Sequence, residues 1–509
     1  MSDTAAKIAA LEAAIAAKDV ENQRLREQIA ALGEQIRRLV RGRFAPTSEK
    51  MIHDQGQQSL DLGAAGPPAE IATTDQSDAP RLPKARRKPR RRRLAEAHPD
   101  LQVVERIIDL PAHQRFDADG TPLVAMGREV TDLIATDLPR VYIKRLVRIR
   151  YGRGDTGEKI VTAPLPARIS PRGMLDDSTI HRIVVAKFED CLPLYRQERI
   201  FARWGIHLPR SLLMDNVGAW VDVMTPIADA IRAQILSERV VHADDSVMRM
   251  LDPTLKRRCR TTNLWALTAG GQVAYQWTPD RTHARAPEVL RDFTGFLVRD
   301  EWQGWTSALD GNRVVHVGCN AHARRPFAEF QAIDAEAAAM VERYARLYAV
   351  EHDAAASGLA GPLLWEHRRA LRQERSRPIM DEIRANAQRL QRAATPASTI
   401  GRGAAYIVTH WRNLTRFLDD GRLPPDNNLA ENVLRQVAVL RKNCLFLGSP
   451  DGGRWAAVAL TILRSCRLQG LDHERYLADV TSLLLADPDS AAQLTPAAYA
   501  HRLRATAAA

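Results

Sequence analysis

A chain of 509 residues with 45% hydrophobic content is too long for one domain and can bury more than one core. Its formal net charge of +12 points to a polyanionic partner, most simply nucleic acid, and no basic amphipathic helix with an aromatic face favours a membrane instead. No secretory leader is legible, no run of about 18 apolar residues can span a bilayer, and five scattered cysteines without a CxxC pair read as reduced thiols, so a cytoplasmic protein is expected.

Residues 1–43 carry a heptad. Ile8, Ile15, Asn22, Ile29 and Ile36 fall at a, and Leu11, Lys18, Leu25, Leu32 and Leu39 fall at d. Isoleucine at a with leucine at d favours two parallel strands, and one asparagine at a fixes register, so a dimerising coiled coil is expected although Lys18 and Gly33 weaken the seam. Residues 44–95 read as a disordered linker, poor in apolar residues as far as 80 and ending in the basic run RLPKARRKPRRRR from Arg81 to Arg93. Charge runs are usually solvated tails. Arginine forks nevertheless match phosphates, which assigns Arg90, Arg91 and Arg92 to non-specific, salt-sensitive DNA contact.

Residues 96–165 alternate in strand fashion, most clearly from Val141 to Arg150, and predict a small β-rich module. Residues 166–235 read as helical. Within them Leu194 to Val217 has the cadence of a helix-turn-helix, with Gly205 in the turn and Ser211 as the cap of the second helix. Three packed helices with no groove-reading role is the competing reading.

Residues 236–330 predict strand, hairpin, helix, strand and strand. SERVVHADDS ends a β-branched run at Asp244, and RCRTTNLWALTA and QVAYQWTPD flank Gly270 and Gly271 as a hairpin. APEVLRDFTG is a short helix, FLVRD brings a strand to its end at Asp300, and NRVVHVGCNAH is another strand. If the strands of Asp244 and Asp300 are neighbours, their carboxylates lie side by side. Residues 331–400 have Ala, Leu, Glu and Arg at helical spacing and read as an all-helical insertion. In residues 401–470, Pro424 and Pro425 followed by Asp426, Asn427 and Asn428 give a loop-then-cap signal. Leu429, Val433, Leu434, Val437 and Leu440 recur at helical spacing after it, so a helix starts near Asn428. Glu431 lies in its first turn, Arg435 four residues on along the same side, and Arg441 and Lys442 at its far end. A helix near Ala456–Leu468 and a tail over 471–509 with a frayed end close the chain.

Two aspartates at strand ends and a glutamate on a later helix can hold two divalent ions. Hard carboxylate oxygens suit Mg²⁺ or Mn²⁺, and two such ions serve an in-line phosphoryl displacement in which water or a 3′-hydroxyl attacks. Taken alone, this helix favours reading Glu431 as an ordinary capping acid with solvated neighbours. No GxxxxGK(S/T) loop, GxSxG elbow or HExxH helix competes.

The segments HADDS around Asp244, LVRDEWQGW around Asp300, CNAHARRPF from Cys319 to Phe327, and DDGRLPPDNNLAENVLRQVAVLRKNCLFLGSPDGG from Asp419 to Gly453 resemble the transposases of the insertion-sequence-66 family. YIVTHWRNLTRFL, LQGLDHERYL and GRFAPTSEK extend the likeness over most of the chain. The resemblance implies a multidomain α/β protein with a ribonuclease-H-like mixed-sheet catalytic domain, and an enzyme that carries out DNA transposition with a DDE acid triad. Carried over by position, Asp244, Asp300 and Glu431 are the three acids and the metal ligands. Arg324, Arg325, Arg435, Arg441 and Lys442 become phosphate contacts. The implied partners are the element's terminal repeats, target DNA, a second or further copy of the chain and accessory proteins of the element, in a bacterial, nucleoid-associated setting. A metal-dependent nuclease and a non-catalytic DNA-binding protein derived from an inactive copy are the rival functions.

Three departures from the family pattern stand out. Asp244-Asp245-Ser246 replaces the usual Asp-Glu-Thr, so Asp245 is the alternative first acid, although strand alternation turns it to the other face. Leu110–Gly120 and Arg150–Lys159 lack the cysteines of the family's zinc module, so no zinc is expected there. The Pro-Trp ending is absent as well. Cys319 and His322, two donors without a further pair, are read as structural, and Trp302 and Trp305 as packing.

Overall fold

The computed structural model describes residues 166–508 apart from 256–257 and 309–312, together with Lys18, Val141, Tyr142 and the strands β1 (Arg150–Tyr151) and β2 (Val161–Thr162). The chain divides into two units, Met1–Pro139 and Arg140–Ala509. The heptad, the linker and the basic run with Arg90, Arg91 and Arg92 lie outside the described residues. Of the β-rich module, β1 and β2 form an antiparallel pair.

Three helices lead into the sheet: α1 (Asp177–Phe188), α2 (Leu194–Arg203) and α3 (Arg210–Ser237). Gly205, at φ +89°, makes the turn between α2 and α3, a conformation open to a residue without Cβ. The cap expected at Ser211 is not used. Pro209, with its fixed φ, precedes the first helical residue Arg210. Leu213, Val217, Trp220, Met224 and Ile231 of α3 are fully buried, while Arg210, Ser211, Met214 and Asp215 at its start and Asp222, Asp229 and Ala233 further on are exposed.

A five-stranded mixed sheet follows in the order β5-β4-β3-β6-β7, formed by β3 (Val240–Leu251), β4 (Cys259–Ala269), β5 (Gln272–Thr278), β6 (Gly295–Val298) and β7 (Val314–Val317). β3, β4 and β5 are antiparallel, and β6 and β7 run parallel to β3. Gly270 and Gly271, at φ +56° and +70°, close the β4–β5 hairpin with the two positive φ values that a type I′ turn requires. The short helix α4 (Arg285–Leu290) joins β5 to β6.

β3 does not end at Asp244. Its antiparallel pairing with β4 carries it to Leu251, whereas its parallel partner β6 stops at Val298. One edge of β3 is therefore open just beyond Ala243, and that gap is where the site is built.

The helices after the sheet are α5 (Asn320–Ala328), α6 (Ala335–Ala355), α7 (Gly361–Leu371), α8 (Arg377–Ala393), α9 (Thr399–Thr409) and α10 (Trp411–Thr415), with a π-helical turn at Arg372–Ser376 between α7 and α8. α6, α7 and α8 lie within residues 331–400, read as a helical insertion; α5 begins at Asn320, inside the stretch read as strand, because β7 ends at Val317. The chain then continues through α11 (Asn428–Cys444), α12 (Pro450–Leu468), α13 (His473–Ala486) and α14 (Pro496–Ala508). α11 starts where the sequence places it, but Leu429 is 56% exposed, and Ala430 is buried in its stead.

Two cores cover the sheet's faces. Leu297 of β6 joins the larger one, with α1, α3, α11, α12 and α13; its neighbour Val298 joins the other, with α5, α6, α8 and α9. β5 would be a bare edge, but the Ser465 and Thr461 hydroxyls of α12 accept from the Val273 and Tyr275 N–H groups at 3.1 and 2.8 Å. The expected C-terminal tail is instead integral to the fold. Tyr476, Leu477 and Val480 are fully buried in the larger core, and Tyr476 donates to the Leu494 carbonyl at 2.7 Å. The alanine-rich composition of the end of the chain hid this, because a few large side chains supply most of the burial.

Candidate active site

Val298 pairs with His242, so Asp300, two residues on, comes level with Asp244 across the β3–β6 edge and on the same sheet face. Beyond that point the open edge of β3 is filled by side chains of the α11 region. The Ala243 carbonyl accepts from Asn427 Nδ2 at 2.9 Å, and the Val247 carbonyl accepts from Arg441 Nη1 at 3.0 Å. The next strand-like contact comes from Leu447, whose N–H donates to the Arg249 carbonyl at 2.8 Å. α11 is thus held along the gap from both ends, and its first turn carries Glu431 to the two aspartates.

The loop before α11 is fixed with equal care. Asn427 is fully buried; its backbone N–H donates to Cys319 Sγ at 3.2 Å, and its Oδ1 lies 3.1 Å from His242 Nδ1. Asn320, also fully buried, sends both its backbone N–H and its Nδ2 to the Pro425 carbonyl at 3.0 Å. The segment beginning at Cys319 and the one beginning at Pro424 therefore lock together through buried amides, which lose more when unpaired than they gain when paired. Sequence reasoning missed both asparagines, since Asn427 looks like an ordinary helix cap.

Burial raises the Asp244 carboxyl to about 7, and Asp300, Asp245 and Glu431 push it the same way, against the 2.8 Å bond from the Asp245 N–H. Such crowding of like charge is relieved by a cation. Glu431 Oε1 is buried and without a hydrogen bond. The donor set, all carboxylate oxygens, fits hard divalent ions.

A raised carboxyl makes stability depend on pH in a definite sense. The folded state holds the Asp244 proton more tightly than the unfolded state, so this contribution is full below the usual carboxylate range and is lost as pH rises through about 7. Asp244→Asn is therefore expected to stabilise the metal-free protein at pH 8, by about 1–2 kcal/mol after allowance for solvent screening, and not at pH 4. Thermal melts in chelator at the two pH values check this; an equal change at both would contradict it.

The remaining predicted residues divide into two groups. Arg325 lies beside the acids, with Nη2 3.5 Å from Glu431 Oε2, and its side chain is 55% exposed. Arg324 is part-exposed on the same helix, and Arg435 and Lys442 are exposed on α11. Arg441 differs, because its guanidinium is engaged with β3. Asp245 turns to the other face and pairs with Arg281 at 2.8 Å, and Arg281 in turn lies 4.1 Å from the Trp302 ring centroid. Trp305 is fully buried against Trp265, with ring centroids 5.1 Å apart, as packing predicts. Cys319 and His322 are not remote from the acids: His322 Nδ1 lies 3.3 Å from Glu431 Oε1. Burial pushes the Cys319 thiol up to about 12. Burial also lowers His322, helped by Arg325 and opposed by Glu431 and Asp300.

Carboxylates on a central strand, just past a strand end and on a later helix are hard oxygen donors of the kind metal-dependent phosphoryl chemistry uses. Residues 172–455, more than half of the chain, match the family described as Transposase IS66 family, and residues 31–106 match the one described as Transposase C of IS166 homeodomain. The chain belongs to the IS66 transposase family. Similar chains include three proteins of Sinorhizobium fredii, each described as an uncharacterised protein. One, y4jD, is 29% identical over 500 residues, covering 92% of this chain and 96% of that one. y4hP is 28% identical over 482 residues (89% and 85% covered), and y4qI is 28% identical over 504 residues (93% and 89% covered). Among the described residues, no helix is long and apolar enough to cross a membrane.

Proposed function

We propose that this chain is a DNA transposase that cuts the ends of a mobile element and joins them to target DNA, with Asp244, Asp300 and Glu431 as its metal-holding acids on a ribonuclease-H-like sheet. The observation that supports this reading is the parallel pairing of β3 with β6, the strands that lead to Asp244 and Asp300, together with the electrostatic push of Asp300 and Glu431 on Asp244. Two Mg²⁺ or Mn²⁺ ions held there would supply activation of water and then of a 3′-hydroxyl, and would stabilise the leaving oxygen. The protein's own part is positioning. Asn427 and Asn320 fix the helix of Glu431, Arg441 ties its far end to β3, and Arg325, Arg324, Arg435 and Lys442 offer cations to the DNA backbone.

DNA is the partner in this account. The basic run from Arg81 to Arg93 falls within the stretch that matches a homeodomain-type family, which supports assigning Arg90, Arg91 and Arg92 to DNA contact. The start of α3, where Arg210, Ser211, Met214 and Asp215 are exposed, is the surface assigned to groove contact. Pairing of two copies through the heptad completes the assembly, with accessory proteins of the element as further partners.

Purified protein, a labelled duplex carrying the element's end, Mg²⁺ and a target plasmid form the test. Nicking at the element boundary followed by joined products is expected. Nicks without joining would make the chain a nuclease, and binding alone would make it a non-catalytic descendant.

A further inference from the structure

We propose that Cys319, His322 and Glu431 form a binding site for a single borderline-soft divalent ion of the Zn²⁺ class, adjoining the acid triad and sharing Glu431 with it. The three side chains offer a sulfur, a nitrogen and an oxygen that all lie within 4.8 Å of one another. Mg²⁺ and Mn²⁺ have little use for a thiol and an imidazole, whereas Zn²⁺ takes all three donor types.

Local structure explains why they meet. Cys319 caps α5, and His322, three residues on, stands above it on the same side of the first turn. Glu431 enters from the first turn of α11, whose preceding loop is bonded to α5 through Asn427 and Asn320. The cluster therefore joins the starts of two helices that are already locked together, and it is not a chance meeting of surface groups. Two of its atoms are unsatisfied. His322 Nδ1 and Glu431 Oε1 are buried and 3.3 Å apart, yet neither makes a hydrogen bond. Buried polar atoms of that kind are uncommon, and an ion between them would satisfy both. Cys319 Sγ already accepts the Asn427 N–H, the kind of bond that supports a thiolate ligand.

Ligands about 2.0–2.3 Å from a tetrahedral ion lie roughly 3.5 Å apart, so donor atoms that already lie within 4.8 Å of one another need only small side-chain adjustments to hold one. The thiol proton leaves to solvent as the ion enters, and the fourth position remains for water. Occupancy would draw Glu431 away from the other two acids. Zn²⁺ would then oppose Mg²⁺-dependent cleavage, a consequence that rests on the triad assignment above, whereas the site itself does not.

Co²⁺ titration of the full-length protein tests the site by the sulfur-to-cobalt charge-transfer band. The wild type should bind one ion with that band, reversibly on adding chelator. Cys319→Ser should lose the band. His322→Gln, at a part-exposed position, should weaken binding at least tenfold with the fold intact by circular dichroism. Cys259→Ser should change nothing. Asp300→Asn should keep the band even if it abolishes cleavage, which separates failure of this site from failure of the triad reading. A wild type without the band, or a band that survives Cys319→Ser, would overturn the proposal.

Discussion

Asp244→Asn, Asp300→Asn and Glu431→Gln are each expected to reduce cleavage of the element's ends by at least about 1,000-fold, while DNA binding stays within a few fold. Metal stabilisation of a transferring phosphoryl group is worth several kcal/mol, and 1.36 kcal/mol is a factor of ten in rate. Each substitution removes a charge and leaves the shape, so the fold should tolerate it. The three positions lie far apart in sequence, and Asp300 and Glu431 both push the Asp244 carboxyl up. Asp245→Asn is the internal control, since its carboxylate is committed to Arg281 on the opposite face. Nicking assays on a labelled duplex, with gel shifts in parallel, read both quantities. Equal loss in Asp245→Asn and Asp244→Asn would mean that neither face is privileged.

The largest effect on stability is expected far from the acids, at Glu351→Ala. Arg372 is completely buried within the π-helical turn. Glu351 holds its Nε and Nη2 at 2.7 Å each, and Nη1 donates to the Phe417 and Asp420 carbonyls at 2.7 and 3.0 Å. Removing the carboxylate strands a buried cation, which costs about 3–5 kcal/mol, or roughly 10 °C in thermal midpoint. The exposed pair Arg346–Glu382 gives the contrast: its side chains are 50% and 44% exposed, and Glu382→Ala should cost less than about 1 kcal/mol. Thermal melts of the two variants side by side decide the matter; equal midpoints would mean that Arg372 is not held as described. Because Phe417 and Asp420 lead into the Pro424 loop, Glu351→Ala should also lower cleavage at temperatures where it remains folded.

The parts of this molecule legible in its sequence are those set by local chemistry. The Gly270-Gly271 turn, the start of α11 at Asn428 and the helical insertion follow from turn residues, caps and period. The strands that lead to Asp244 and Asp300 pair in parallel, as their reading as neighbours predicts. What local pattern could not show is long-range. β3 runs past Asp244 because β4 continues to pair with it, which no residue between Asp245 and Leu251 announces. Leu429 sits on the helical period of the buried stripe and is nevertheless exposed, because the gap beside β3 is lined from the other side of that turn. Asn427 and Asn320 look like a cap and a loop residue, but their partners lie on other elements. His322 is one helical turn from Cys319 in sequence and about a hundred residues from Glu431, so only the fold brings the three together.

The most direct test of the central claim is transposition in bacterial cells. A marked element with its own ends and neighbouring genes would be supplied with the wild-type chain or with Asp244→Asn, Asp300→Asn or Glu431→Gln. The element should move with the wild type and with none of the three variants. Movement undiminished by Glu431→Gln would contradict it.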